Sequence, residues 1–159
     1  MNYKNLRFEI ENNIGRIILN RPEAANAITI PLVKELLDIA IKCESGAPVR
    51  ALVLQGEGSI FCAGGDLKYM TEQENLREAI SEMIGILHVA LSKIDHLDAP
   101  LIGAITGTAA GAGLSLVSAC DMAVAGKNVK FTSAYTAAGL TPDGSSTFHL
   151  PRSIGKKRT

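Results

Sequence analysis

Residues 59–70 read SIFCAGGDLKYM. They follow a strand-like apolar run, ALVLQ (51–55), and lead into residues at helical spacing. A packed core has no need of Ala-Gly-Gly-Asp between strand and helix, because glycine loses the most backbone freedom on folding. A backbone that must come close to a ligand does. A second turn of the same make, GTAAGAGLSL (107–116), follows the run LIGAIT (101–106). Each turn ends where a helix is expected to start, so its N–H groups lack intrahelical acceptors and face the positive end of the helix dipole. One such turn binds anions generically. Two that converge on a single oxygen form an oxyanion hole for an enolate or a tetrahedral intermediate. Taken singly, each turn is equally compatible with close packing of helix against sheet. Neither is a phosphate loop, since G-x-x-x-x-G-K-[ST] does not occur and no strand is followed by G-x-G-x-x-G.

Outward from these turns the chain alternates strands and helices. LRFEIE (6–11) and IGRIILN (14–20) flank Asn12-Asn13 and predict a hairpin that ends at Arg21-Pro22. Thr29 is placed to cap a helix carrying Val33, Leu36, Leu37, Ala40 and Ile41, which Ser45-Gly46-Ala47-Pro48 breaks. Apolar residues from Leu76 to Ile94 keep one stripe and predict a single helix from about Thr71 to Leu97. A strand over 101–106, a glycine-rich turn, a helix over 111–119 and strands at 121–125 and 129–131 follow. The order ββαβαβαβ predicts an α/β domain. The terminal SIGKKRT is where a further helix would begin.

Composition narrows the function classes. Sixteen basic and sixteen acidic residues cancel, which disfavours nucleic acid as a partner. Cys43, Cys62 and Cys120 are widely spaced, with no metal-ligand pairing, and fit a reducing cytoplasm. Cys62 reads as a small buried residue. LIGAITGTAAGAGLSLVSAC (101–120) holds twenty uncharged residues with G-x-x-x-G spacing, a pattern shared with close-packing membrane helices. Its Gly, Ala, Ser and Thr content favours instead a buried strand, a turn and a buried helix.

NRPEAANAI (20–28), ALVLQGEGSIFCAGGDL (51–67), AITGTAAGAGLSLVSACDMAVAG (104–126) and FTSAYTAAGLTPDGSSTFHLPRSIG (131–155) together resemble the crotonase superfamily, the enoyl-CoA hydratase/isomerases. The motifs stand in order over nearly the whole chain, so residues 1–159 are expected to form the N-terminal part of one crotonase-like, acyl-CoA-binding domain. The resemblance implies an α/β spiral of ββα units, here without the C-terminal helices that pack the family's trimers or hexamers and close the acyl pocket. An exposed apolar edge follows from that shortening. The backbone N–H groups of Gly65 and Ala112 are expected to hold the thioester oxygen. Backbone near Ala24, Ala25, Ala63, Asp66 and Leu67 is expected to meet the CoA. No metal or redox cofactor is implied, because coenzyme A belongs to the substrate.

The side chains depart from the hydratases, whose two catalytic glutamates fall on Ser115 and Tyr135. Asp143 stands where the family's CoA isomerases commonly carry an acid. The leading expectation is therefore an enoyl-CoA isomerase, closest to the Asp-dependent enzymes that shift a double bond or isomerise a ring epoxide in fatty or aromatic acid catabolism. Thr141-Pro142-Asp143-Gly144 also reads as a type I turn. His88 reads locally as a packing residue at the edge of its helix stripe. Yet the family's aryl-CoA dehalogenases carry a helix histidine base and a nucleophilic aspartate in these two places, so His88 with Asp143 forms a hydrolytic alternative. The tryptophan those enzymes hold near the aspartate is replaced by Tyr135, which would shape an acyl or aryl pocket. A non-catalytic CoA-binding fragment is a third possibility. His96 and His149 read as loop or packing residues.

Overall fold

The computed structural model describes residues 3–159. Strands β1 (Leu6–Glu11) and β2 (Ile14–Leu19) form the expected hairpin, with Leu6 opposite Leu19 and Glu11 opposite Ile14. Its two turn residues, Asn12 and Asn13, have φ of 50° and 63°. Positive φ at both positions is the turn whose twist suits a hairpin, and asparagine tolerates it. Helix α1 (Ile30–Glu44) starts at Thr29, whose hydroxyl accepts from the Leu32 amide at 3.4 Å.

A unit of long strand, short strand and helix then repeats three times. The first comprises β3 (Ala51–Gly56), β4 (Ile60–Cys62), α2 (Leu67–Thr71) and α3 (Leu76–Asp95). The second comprises β5 (Leu101–Ile105), β6 (Thr108–Ala110) and α4 (Ala112–Ser118). The third comprises β7 (Met122–Ala125), β8 (Phe131–Thr132) and α5 (Ser146–Ile154). Long strands join one sheet in the order β1-β2-β3-β5-β7, parallel from β2 onward, and short strands join another in the order β4-β6-β8, also parallel. This is the ββα repetition that the resemblance implies. Leu52, Ile17 and Leu19 from the first sheet meet Leu32, Val33 and Ile39 of α1 and Leu87 and Leu91 of α3 in one core, with Phe61 of β4 wholly enclosed.

Several local expectations need correction. The helix expected from about Thr71 to Leu97 is shorter, Leu76–Asp95, because residues 72–75 are not helical and Asn75 caps α3 by accepting from the Glu78 amide at 3.2 Å. The glycine-rich segments hide strands β4 and β6, too short for a period-2 pattern to show. The uncharged run 101–120 is β5, β6 and α4, and among the described residues no helix is long and apolar enough to cross a membrane. The last strand lies at 131–132 rather than 129–131. No helix begins in SIGKKRT; α5, which contains Pro151, ends there at Gly155. The turn is not Thr141–Gly144. It is Asp143–Ser146, closed by the Ser146 amide on the Asp143 carbonyl at 3.2 Å, with φ of 59° at Gly144 and 61° at Ser145. Strand β7 is an exposed apolar edge, with Met122 65% and Val124 67% accessible.

Candidate active site

The two glycine turns touch. Gly64 has φ of 101° and Gly111 has φ of 51°, both in the region that favours glycine. A Cβ on Gly64 would lie 3.6 Å from the Gly111 Cα and 3.3 Å from the Ala112 amide nitrogen. Parallel pairing of β4 with β6 brings the turns together, Ile60 beside Thr108 and Cys62 beside Ala109. Gly65 follows one turn, and Ala112 opens α4 after the other. Neither amide donates to an acceptor among the described residues: the bridge from Ile28 to this turn uses the Gly64 carbonyl and the Asp66 amide, and the first N–H of α4 has no partner within the helix. Both face one cavity of about 220 Å³. Ile80, Met83, Ile84 and Leu87 of α3 form an apolar wall, and Asp143 is its one acidic side chain among the described residues.

Asp143 meets His88, His88 Nε2 lying 2.8 Å from Asp143 Oδ1. The histidine is thus partly exposed at the stripe edge and has Asp143 as its partner. It is not part of the cavity wall, and its side chain is 44% exposed, while that of Asp143 is 26% exposed. The backbone of Asp143 is held separately. Ser115, fully buried in α4, donates to the Asp143 carbonyl at 2.6 Å, and Ser146 donates to it at 2.8 Å. Ser115 Oγ also lies 2.7 Å from the Tyr135 hydroxyl. The carbonyls beside Ser115, those of Asp143 and Gly111, only accept, so the serine proton goes to a carbonyl and Tyr135 donates to Ser115. Burial, then the nearby Asp143 charge, pushes the tyrosine phenol above its ordinary pKa, so it keeps that proton.

Of the other expected contact residues, Ala63 and Leu67 lie on the cavity wall with Tyr135, whereas Ala24, Ala25 and Asp66 do not. Ala25 is nevertheless adjacent, its carbonyl accepting from the Ala63 amide at 3.0 Å. Asp66 works through its side chain, which caps α2 by accepting from the Tyr69 amide at 3.0 Å and pairs with Arg21 at 3.0 Å. Cys62 is fully buried, and burial pushes its thiol up to about 12. His96 ends α3, and His149 lies in α5 with its ring edge-on to Phe148. Sequence reasoning missed Asn26. Wholly buried, it donates to the Glu57 and Ile60 carbonyls, each at 2.8 Å, and accepts from the Arg21 amide at 2.9 Å. It binds the 20–28 loop to the turn before β4. The Asn-Ala-Ile that follows a proline turn was the available signal, since asparagine is one of few residues that accept its φ of 53°. Among the described residues no three His, Cys, Asp or Glu side chains gather in a way that could hold a metal ion.

This geometry has relatives. A "Probable enoyl-CoA hydratase" from Rhodobacter capsulatus is 36% identical over 159 residues, which is 99% of this chain and 60% of that protein. The 4-chlorobenzoyl coenzyme A dehalogenase-2 of an Arthrobacter species is 33% identical over 152 residues, 94% of this chain and 55% of that protein. The crystal structure of an enoyl-CoA hydratase from Bacillus anthracis superposes with a TM-score of 0.88 at 30% identity, covering 98% of this chain and 60% of that one. The chain thus spans a little over half the length of these relatives. The family model for enoyl-CoA hydratase/isomerase matches residues 9–159, and the chain belongs to that family.

Proposed function

We propose that the chain forms an acyl-CoA site in which Asp143 displaces a leaving group from the acyl portion and His88 activates the water that frees the product. The contact between His88 and Asp143 carries this reading. A proton shuttle between two carbons needs one carboxylate and gains nothing from an imidazole bonded to it. A carboxylate that attacks carbon, and must afterwards be released by water, needs a base at that very carboxylate. The dehalogenase name of the Arthrobacter relative fits the same chemistry.

In the first step an Asp143 oxygen bonds to a carbon that bears the leaving group and is conjugated with the thioester carbonyl. The displaced electron pair moves onto the thioester oxygen, where the Gly65 and Ala112 N–H groups stabilise it. It then returns as the leaving group departs with its bonding pair, and leaves an ester on Asp143. His88 next takes a proton from water, and the hydroxide adds to the Asp143 carboxyl carbon. The ester C–O bond breaks towards the acyl group, the hydroxylated thioester leaves, and Asp143 retains one oxygen from solvent.

The test is a single turnover of 4-chlorobenzoyl-CoA by excess protein in ¹⁸O-water, with mass analysis of the peptide containing Asp143. Label in Asp143, and trapping of the ester by His88→Gln, are the expected results. Label in the product alone refutes the scheme. Isomerisation of a 3-enoyl-CoA is the second reading, favoured because Asp143 is the only acid on the wall described. That activity would survive His88→Gln and disappear in Asp143→Asn. Hydration by paired carboxylates is not supported, since Ser115 and Tyr135, where the hydratase glutamates would fall, are bonded to each other.

A further inference from the structure

Behind Tyr135 lies a second cavity of about 460 Å³, bounded by Val117 of α4, Phe131 of β8 and Leu150 and Ile154 of α5. Tyr135 is the one residue, among those described, that lines both this cavity and the one holding Gly65, Ala112 and Asp143. We propose that Tyr135 is a partition that confines the acyl group to the inner chamber, making the protein selective for compact acyl thioesters. The inference rests on the acyl-CoA reading of the site.

The partition is tethered. The phenol donates to Ser115, and Ser115 donates to the backbone of Asp143. Swinging the ring aside breaks the first bond and leaves a wholly buried serine oxygen without its donor. The outer chamber presents Leu150 and Ile154 of α5 and Val117 and Phe131 together with polar Ser146 and Thr147, so alkyl carbon would be favourable against its apolar part once the ring is gone. Selectivity by size thus shares its anchor with the residue proposed for chemistry. Removing the ring alters which acyl groups fit, while the Ser146 bond still holds the Asp143 carbonyl.

Calorimetric titration with saturated straight-chain acyl-CoAs of increasing length tests the idea, because binding needs no turnover. In the unmodified protein affinity rises by about four-fold per methylene until the inner chamber is full, and then falls. In Tyr135→Ala the rise continues through at least two more methylenes, a gain of about ten-fold or more for the longer chains, while short chains change little. Tyr135→Leu gives the same shift if the alanine variant does not fold. Adding Leu150→Trp, which takes up part of the outer chamber behind the missing ring, shortens the extended limit. Intact short-chain binding with an unchanged limit in both Tyr135 variants overturns the partition alone. Failure of the unmodified protein to bind any acyl-CoA overturns the acyl-CoA reading and the partition with it.

Discussion

Asp66 does not line the cavity, yet replacing it tests how the Gly65 turn is held. Its carboxylate caps α2 and pairs with Arg21, and the two side chains are only 14% and 18% exposed. Loss of a cap costs about 1 kcal/mol. Loss of a hydrogen bond between charged groups costs about 1.5–3 kcal/mol, and the low end applies here because water still reaches both side chains. Asp66→Ala should therefore destabilise the protein by about 2–3 kcal/mol, or about 5–10 °C in Tm for a domain of this size. Asp66→Asn keeps the cap and should cost about half as much. Burial makes ionisation of Asp66 harder, but the Tyr69 amide, Arg21 and the Lys68 charge outweigh it and hold the pKa below the ordinary value. A depressed pKa contributes stability that is complete above the unfolded value of about 3.9 and is lost as pH falls through the folded value. Urea unfolding followed by circular dichroism at pH 7 should separate the variants, and the gap between the unmodified protein and Asp66→Asn should close as pH falls from the unfolded value of about 3.9 through the depressed folded value. Equal midpoints at pH 7, or a gap to Asp66→Asn that persists in acid, would refute the assignment.

Three further outcomes follow from packing. In Gly113→Ala the new Cβ would sit 2.8 Å from the Cys62 Cβ and closer still to the Cys62 carbonyl, so α4 must move off β4. A loss of about 1–3 kcal/mol in urea unfolding is expected, with a drop in kcat/KM as the Ala112 amide shifts. Gly85→Ala in α3, where nothing lies within 4 Å of the new methyl, should raise stability by about 0.5–1 kcal/mol and leave acyl-CoA binding unchanged. Cys62, buried and with its thiol pushed up to about 12, should resist a thiol reagent at pH 8 in the native state and react once urea unfolds the chain.

Much of the fold was legible because its periodicities are long. The stripe from Leu76 to Ile94 and the run at 51–55 announced α3 and β3, and Asn12-Asn13 announced the hairpin. Strands β4 and β6 have three residues each and sit inside glycine-rich segments, so no local pattern could reveal them; pairing with each other makes them strands. Helix α5 contains Pro151, which on local grounds argues against a helix there. In the site, the two glycine turns were readable as a backbone signal, whereas the choice of Gly65 and Ala112 within them came only from the family resemblance. The bond between His88 and Asp143 was readable only as a possibility, since 55 residues separate the partners and only the packing of α3 beside the Asp143 turn unites them. Ser115 was seen as a missing glutamate. That it holds the Asp143 carbonyl required the three-dimensional neighbourhood.

Because the turns carrying Gly65 and Ala112 follow β4 and β6, the gap between their amides is tied to a ladder as well as to the conformation of the turns. Neighbouring strands keep a spacing of about 4.8 Å, and changing it means breaking backbone hydrogen bonds. The pair behaves as a caliper with a locked jaw. Substitutions on α3, Tyr135 or the Asp143 turn can reshape what the jaw grips or what is done to it without altering its width. Under the proposed function, the reaction is set at the walls, and the means of holding a carbonyl oxygen is set separately by the strands.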